Sequence, residues 1–340
     1  MNTTTAIPLS PSLASRPSLL GRLLYFVTLM KPRVMALALF TAFVGLAIAP
    51  TPLDPLPGVI AILAIAAGAG AAGALNMWYD ADIDAVMART AMRPIPSGKV
   101  SRLEALVFGL VLGIFAVTAL ALATNLAAAA LLAGTILFYA VIYTAWLKRT
   151  TRQNIVIGGA AGALPPVIGW AAATGQTGLE PLTFFLIIFL WTPPHFWALA
   201  LNRTDDYARA GVPMLPVVSG RATTSRQILI YSCLLVLASE LPWALGFAGG
   251  IYGVTVAISG APFLLFAFEL HRRAGTDRRT AHRLFVFSIS YLFLLFTALL
   301  VDHGAASFTE RRWSHGDRTS VALSVARQPN AARTFKVWEV

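Results

Sequence analysis

The sequence predicts an all-α, polytopic transmembrane bundle of nine helices, and three observations carry that reading. Hydrophobic residues are 57% of the 340 and charged residues only 12%, against about 25% charged in a soluble protein. The mean hydropathy is +0.71. Apolar runs of about 20 residues recur, each long enough to cross the ~30 Å hydrocarbon core as a helix and too long for barrel strands of ~10 residues. The lone cysteine, Cys233, excludes an intramolecular disulfide and any multi-cysteine metal site.

The spans are expected at Val34–Ala49, Val59–Met77, Leu103–Ala123, Leu126–Leu147, Ile155–Ala173, Pro181–Leu201, Ile228–Ala248, Ile251–Leu270 and Leu284–Val301. The first is short and is read as reaching back through Leu23–Met30 across Lys31-Pro32-Arg33. Residues 1–22 are expected to be a polar tail, rich in Ser, Thr and Pro and without an acid. No signal-peptide apolar core or cleavage site is present there; a cytosolic tail is the first reading and an organelle-targeting segment the second. Residues 23–303 form the membrane domain, and 304–340 a polar, disordered tail.

Net charge is +11, and its placement sets its meaning. The loops after the first, third, fifth and seventh spans carry no Lys or Arg. Every basic loop falls on the opposite face, which the positive-inside rule makes cytoplasmic, with the N-terminus. Nucleic acid is not needed to explain the charge. The expected setting is a bacterial inner membrane, with the mitochondrial inner membrane as the alternative.

The long inner loops hold the acids. Asn76, Asp80 and Asp84, at the inner end of the second span, fall at i, i+4 and i+8 and so share one helix face. Three oxygen-bearing groups spread over ~12 Å suit a hard cation such as Mg²⁺, which takes one or two carboxylates and completes its shell with water and substrate phosphate. Asp82 points off that face. A second pair, Asp205-Asp206, follows the sixth span on the same side of the membrane. Alone it also fits a helix N-cap; sharing a face with the first cluster makes it a second metal–diphosphate candidate. Arg89, Arg93 and Lys99 lie in a Pro/Gly-ordered loop after the first motif, and Lys148 and Arg152 follow the fourth span. These are the candidate phosphate-facing cations, and simple positive-inside charge is the competing reading. Within the sixth span, Trp191-Thr192-Pro193-Pro194-His195-Phe196-Trp197 places an imidazole in the membrane, a functional candidate by default. Its options are an iron ligand, a proton acceptor or a structural hydrogen bond, and the two prolines are expected to break the ladder beside it. Glu240 is read as structural. Glycine and alanine runs at 68–73 and 158–163 imply close helix packing.

These segments resemble the UbiA-type intramembrane prenyltransferases. The resemblance runs from about Thr28 to His303. It is carried by Lys31-Pro32-Arg33-Val34, by Asn76–Asp84 with Arg89 to Gly98, by Asn154 to Trp170, by Thr192 to Leu199, and by Asp205-Asp206-Tyr207 with Ala210 to Pro216. The last three are similar to the heme-modifying branch. The resemblance implies nine spans, two acidic Mg²⁺–diphosphate motifs on the cytoplasmic side, farnesyl diphosphate as donor and heme b (protoheme IX) as acceptor at its 2-vinyl group. It implies catalytic roles for Asn76, Asp80, Asp84, Asp206 and His195, metal contacts from Asp80, Asp84, Asp205 and Asp206, and diphosphate contacts from Arg89, Arg93, Lys99, Lys148, Arg152 and Asp205. Candidate aromatic walls for an allylic cation are Trp78, Tyr139, Tyr143 and Trp197. A heme A synthase or terminal-oxidase assembly factor is the partner to look for. Two features depart from the family: the second motif's acids are adjacent rather than four apart, and the tail is long. The competing functions are prenyl transfer to another aromatic acceptor, such as a quinone precursor, and a transporter.

Overall fold

The computed structural model describes residues 18–326, and these contain helices and loops with no strand among them. Eight helices are long and apolar enough to cross a membrane, and a bent pair makes a ninth candidate. The protein is therefore a multi-pass membrane bundle. The bent pair is α1 (Leu19–Leu29) and α2 (Pro32–Ala47), which meet at 56°. The continuous first span expected from hydropathy does not form. Pro32 lacks an N–H and disfavours αR in the residue before it, and Lys31 turns left-handed at φ 57°. Lys31 thus sits at an elbow.

The remaining spans follow the apolar runs. They are α3 (Pro55–Tyr79), α4 (Arg102–Ala123), α5 (Leu126–Thr150), α6 (Asn154–Thr174), α7 (Leu179–Leu201), α8 (Gly220–Ala244) and α9 (Gly250–Arg272). The last, α10, runs Arg278–Ala326. It departs from the irregular tail expected from residue 304. No proline occurs in it before Pro329, so no residue type stops the ladder at the membrane edge. Residues 327–340, the rest of that expected tail, and 1–17 lie outside the described residues.

Consecutive helices pack side by side from α2 to α10, and α10 returns to touch α2, closing a ring. Phe40 and Phe293 stand 4.8 Å apart at that closure. Close approach depends on small residues. A Cβ at Gly169 in α6 would collide with the Ala42 carbonyl of α2, and one at Gly45 in α2 with the Pro166 carbonyl of α6. The two helices therefore meet backbone to backbone, as small residues allow in membranes. Across from this seam, Gly159 lets the Thr192 methyl of α7 approach α6.

Two irregularities bear on function. Residues 138–147 of α5 are wound as a π-helix, a form that often marks functional sites. In α7, Pro193 and Pro194 lie inside a helix that continues through them. Neither has an N–H, so the carbonyls of Phe189 and Leu190 lose their i+4 donors, and the ladder is interrupted beside His195 without ending the helix. The Thr192 hydroxyl donates to the Ile188 carbonyl at 2.8 Å, holding this turn.

Candidate active site

The acids gather where α3 ends. Asp80 caps α3 and starts the short helix Ala81–Val86. Asn76 is 4% exposed, Asp80 0% and Asp84 1%, so the i, i+4, i+8 face points inward. The Asn76 amide donates to Asp80 Oδ2 at 2.7 Å and to Thr144 Oγ1 at 3.0 Å, and its Oδ1 accepts from Lys31 Nζ at 2.5 Å. Lys148 Nζ bonds Asp80 Oδ2. Arg93 Nη1 bonds Asp84 Oδ2 at 2.6 Å. The Lys31 amine has Arg93, Lys148, Asp84 and Asp80 as charged neighbours. Cations and carboxylates alternate, which is how buried charges are tolerated.

Asp82 is off this face and exposed. Arg149 grips both its oxygens at 2.7 and 2.8 Å, and that bond holds its carboxyl down at a pKa of about 2. Arg149 is itself fixed over the Tyr79 ring, 4.7 Å from the centroid.

The second acidic pair divides. Asp206 is 7% exposed and paired with Arg209, whereas Asp205 is exposed. Successive residues of the helix Thr204–Arg209 point about 100° apart, so adjacent acids cannot share one direction. Tyr207 joins the two motifs: Arg89 and Arg93 lie beside its phenol, and burial pushes its pKa up.

The other expected cations are dispersed. Lys99 is exposed over the Tyr25 ring, 5.2 Å from its centroid. Arg152 donates to Ser219 Oγ at 3.2 Å, at the start of α8. Neither joins a hydrogen bond or ion pair of the acidic cluster among the described residues. The loop carrying Arg89 to Lys99 is ordered as expected: Ser97 Oγ donates to the Arg93 carbonyl, and Gly98 takes φ +71°.

The aromatic candidates also separate. Tyr139 and Tyr143 stand 5.2 Å apart on the π-helical turn and count Asp80 among their charged neighbours. Gly158 of α6 lies so close to the Tyr143 ring that a Cβ there would collide. Trp197 instead packs on Tyr231 of α8, and Trp78 against Tyr79.

His195 is 8% exposed between aromatic rings, 4.2 Å from Trp191 and 4.7 Å from Phe285. Ser288 Oγ donates to the Phe285 carbonyl at 2.6 Å, so His195 Nδ1–H donates to Ser288 Oγ, also at 2.6 Å. That assigns the Nδ1–H tautomer and leaves the lone pair on Nε2. Trp191 Nε1 donates to the Ser288 carbonyl at 2.7 Å.

Sequence reading missed Lys31, Thr144, Arg149, Tyr207 and Ser288 as site-building residues. Lys31 and Tyr207 carried a signal, since both lie in segments that carry the family resemblance.

Could the cluster hold a divalent cation? Among the described residues no three His, Cys, Asp or Glu side chains converge as a metal cage. Mg²⁺ does not require one, because phosphate and water fill most of its shell. Asp80 Oδ1 is buried without a hydrogen-bond partner, as is Asn154 Oδ1 at the start of α6. Arg149 Nη2 stands 3.6 Å from Asp80 Oδ1, too far for a hydrogen bond. A buried anionic oxygen so weakly matched is costly in a site built only for itself, so the donor set fits a hard cation.

The UbiA prenyltransferase family profile matches residues 38–297. A protoheme IX farnesyltransferase of Afipia carboxidovorans is 59% identical over 290 residues, covering 85% of this chain and 93% of that protein. Among solved structures, digeranylgeranylglyceryl phosphate synthase superposes with a TM-score of 0.69 at 20% identity, over 83% of this chain and 98% of that one. A UbiA homolog from Archaeoglobus fulgidus, bound to GPP and Mg²⁺, gives 0.58 at 15% identity, over 81% and 99%. With the profile spanning most of the chain and a relative this similar along its length, the protein belongs to the UbiA prenyltransferase family.

Proposed function

We propose that this chain transfers the farnesyl group of farnesyl diphosphate to the 2-vinyl group of protoheme IX, giving heme O. The observation that carries the donor half is the buried alternation of Asp80 and Asp84 with Lys31, Arg93 and Lys148. Arg93 and Lys148 are positioned to turn from a carboxylate, and Lys31 from the Asn76 amide oxygen, to a phosphate oxygen. The acceptor half is supported by the protoheme IX farnesyltransferase relative and by the aromatic cage around His195.

Asp80 and Asp84, with Asp206 from the second motif, are the residues to hold Mg²⁺. When bound, that ion polarises the diphosphate as a Lewis acid. Lys31, Arg93 and Lys148 bind the diphosphate oxygens and take up the charge that builds as the allylic carbon–oxygen bond breaks. Tyr139 and Tyr143 offer π faces to the allylic cation and keep bulk water from it. The vinyl electrons then close the carbon–carbon bond, and water captures the resulting cation. Its released proton has His195 Nε2 as the available base on α7.

The deciding measurement is product formation by purified protein with farnesyl diphosphate and either protoheme or 4-hydroxybenzoate. A farnesylated heme and no farnesylated benzoate is the expected result. The reverse makes this a quinone-precursor enzyme, and no product in detergent with either removes the prenyltransferase reading.

The same reading sets the protein in a bacterial inner membrane with its acidic end and N-terminus cytoplasmic, and makes a heme A synthase or terminal-oxidase assembly factor the receiver of the product. Reporters fused in the Arg89–Lys99 and Arg272–Arg283 loops should report cytoplasm, and one near Thr174–Gly178 the opposite side. A shared compartment for both kinds of fusion contradicts the orientation.

A further inference from the structure

A second polar feature lies at the acidic end of the bundle, outside the carboxylate cluster. The end of α7 and the start of α10 border a half-open surface pocket of about 410 Å³, lined by Leu199, Asn202, Arg203, Arg278, His282 and Phe285. The Asn202 amide donates to the Arg278 carbonyl at 3.2 Å and ties the two helix ends together. The side chains of Arg203, Arg278 and His282 have no hydrogen bond or ion pair with any described residue. Arg93, Arg149, Arg209 and Arg273 at this end pair with acids, while Arg226, Arg272, Arg279 and Arg283 are exposed like Arg203 and Arg278. What sets Arg203 and Arg278 apart is that they line one pocket together with His282. Two arginines and a histidine around one pocket, all without acidic partners, describe a site for an oxyanion.

The pocket is also tied to both halves of the active site. Phe285 lines it and stacks on His195, and Leu199 lies one helical turn beyond His195. Arg203 directly precedes the helix that carries Asp205 and Asp206.

We propose that this pocket binds the carboxylates of the acceptor and thereby sets its orientation. The inference rests on protoheme being the acceptor. Protoheme is a flat, apolar ring with two carboxylates on one edge and its vinyl groups away from them. Ionised carboxylates are strongly disfavoured in hydrocarbon, so that edge must stay at a polar end of the bundle. Arg203 and Arg278 offer forked donors that match carboxylate geometry. With the carboxylates held there, the ring lies along Phe285 toward His195, and the vinyl edge turns into the apolar interior, where the allylic carbon is generated. The pocket fixes which part of the ring is presented without touching the reacting atoms.

The test uses the full chain in a detergent with an uncharged head group. Protoheme and protoheme dimethyl ester are each titrated by absorbance, and each is offered as acceptor with farnesyl diphosphate. Blocking the carboxylates should weaken binding to the wild-type chain on the order of tenfold, as loss of charge-assisted bonds does. Arg203→Gln/Arg278→Gln should weaken protoheme binding similarly and leave ester binding unchanged, with KM for farnesyl diphosphate unaltered. Both arginines lie at the surface, and the ester comparison on the wild-type chain needs no variant. Equal binding of protoheme and ester by the wild type overturns the inference, as does an equal loss of both in the variant. If the variant instead loses only binding of phosphatidylglycerol, the pocket is a lipid headgroup site and the inference is overturned. A wild-type chain that discriminates between acid and ester but makes no product sinks the proposed reaction and keeps the pocket. One that makes product from both equally well does the reverse.

Discussion

Asp80→Asn should lower turnover by about three orders of magnitude or more, equivalent to about 4 kcal/mol of transition-state stabilisation. Asp80 is fully buried, accepts from Asn76 and Lys148, and has Arg149 Nη2 3.6 Å from its second oxygen. The amide keeps the shape but loses the charge that those cations and a divalent ion require. Asp80→Ala is the poorer experiment, since removing one partner of a buried ion pair costs about 3–5 kcal/mol of stability and confuses folding with catalysis. Asp84→Asn should behave like Asp80→Asn. Asp82→Asn should stay within a few-fold of the parent, because that carboxylate is exposed and serves only Arg149. Single-turnover rates on the three variants read this directly; equal activity in all three contradicts the division of faces.

The second large effect is on assembly. Gly169→Val should abolish accumulation of folded protein, whereas Gly162→Ala on the same helix should be neutral. A Cβ at Gly169 would meet the carbonyl of Ala42 and the amide of Leu46, both backbone atoms unable to rotate aside. At Gly162 a Cβ meets nothing within 4 Å. Overpacking a fitted contact usually costs about 1–3 kcal/mol, and prising two backbones apart along a helix exceeds that, against a net stability of about 5–15 kcal/mol. Size-exclusion chromatography of detergent extracts would separate the two outcomes, and a monodisperse Gly169→Val peak refutes the contact.

How far the sequence carried this picture depends on the distance over which each interaction acts. Eight spans were legible because hydropathy sums over about 20 neighbouring residues and needs no tertiary information. The inward face of Asn76, Asp80 and Asp84 was legible because helical periodicity is local. The first span was misread where two local signals conflicted: the apolar run continued, but Pro32 forced an elbow at Lys31. The cations that serve the acids were only partly legible. Lys148 and Arg149 reach Asp80 and Asp82 from 67 or 68 residues away, and nothing local distinguishes them from Arg152 or Lys99, which face elsewhere. Composition assigns charge to a loop, not to a partner. For the same reason the Ser288 bond that sets the His195 tautomer, across 93 residues, left no mark on the Trp191–Trp197 motif. The adjacency of Asp205 and Asp206 was visible in sequence, and the structure gives its result: one inward acid and one facing solvent.

The seam between α2 and α6 also constrains traffic. A prenyl chain that enters from the bilayer has to pass sideways between two helices to reach a buried carboxylate cluster. Side chains at a helix–helix gap can swing aside within nanoseconds when exposed, and the gap closes again at little cost. Where carbonyls and α-carbons face each other directly, as at Gly45 and Gly169, nothing can swing, and opening would forfeit the dispersion contacts along the whole contact line at once. That side of the ring is a permanent wall, so lipid-borne substrate must come and go at gaps whose helices meet through side chains.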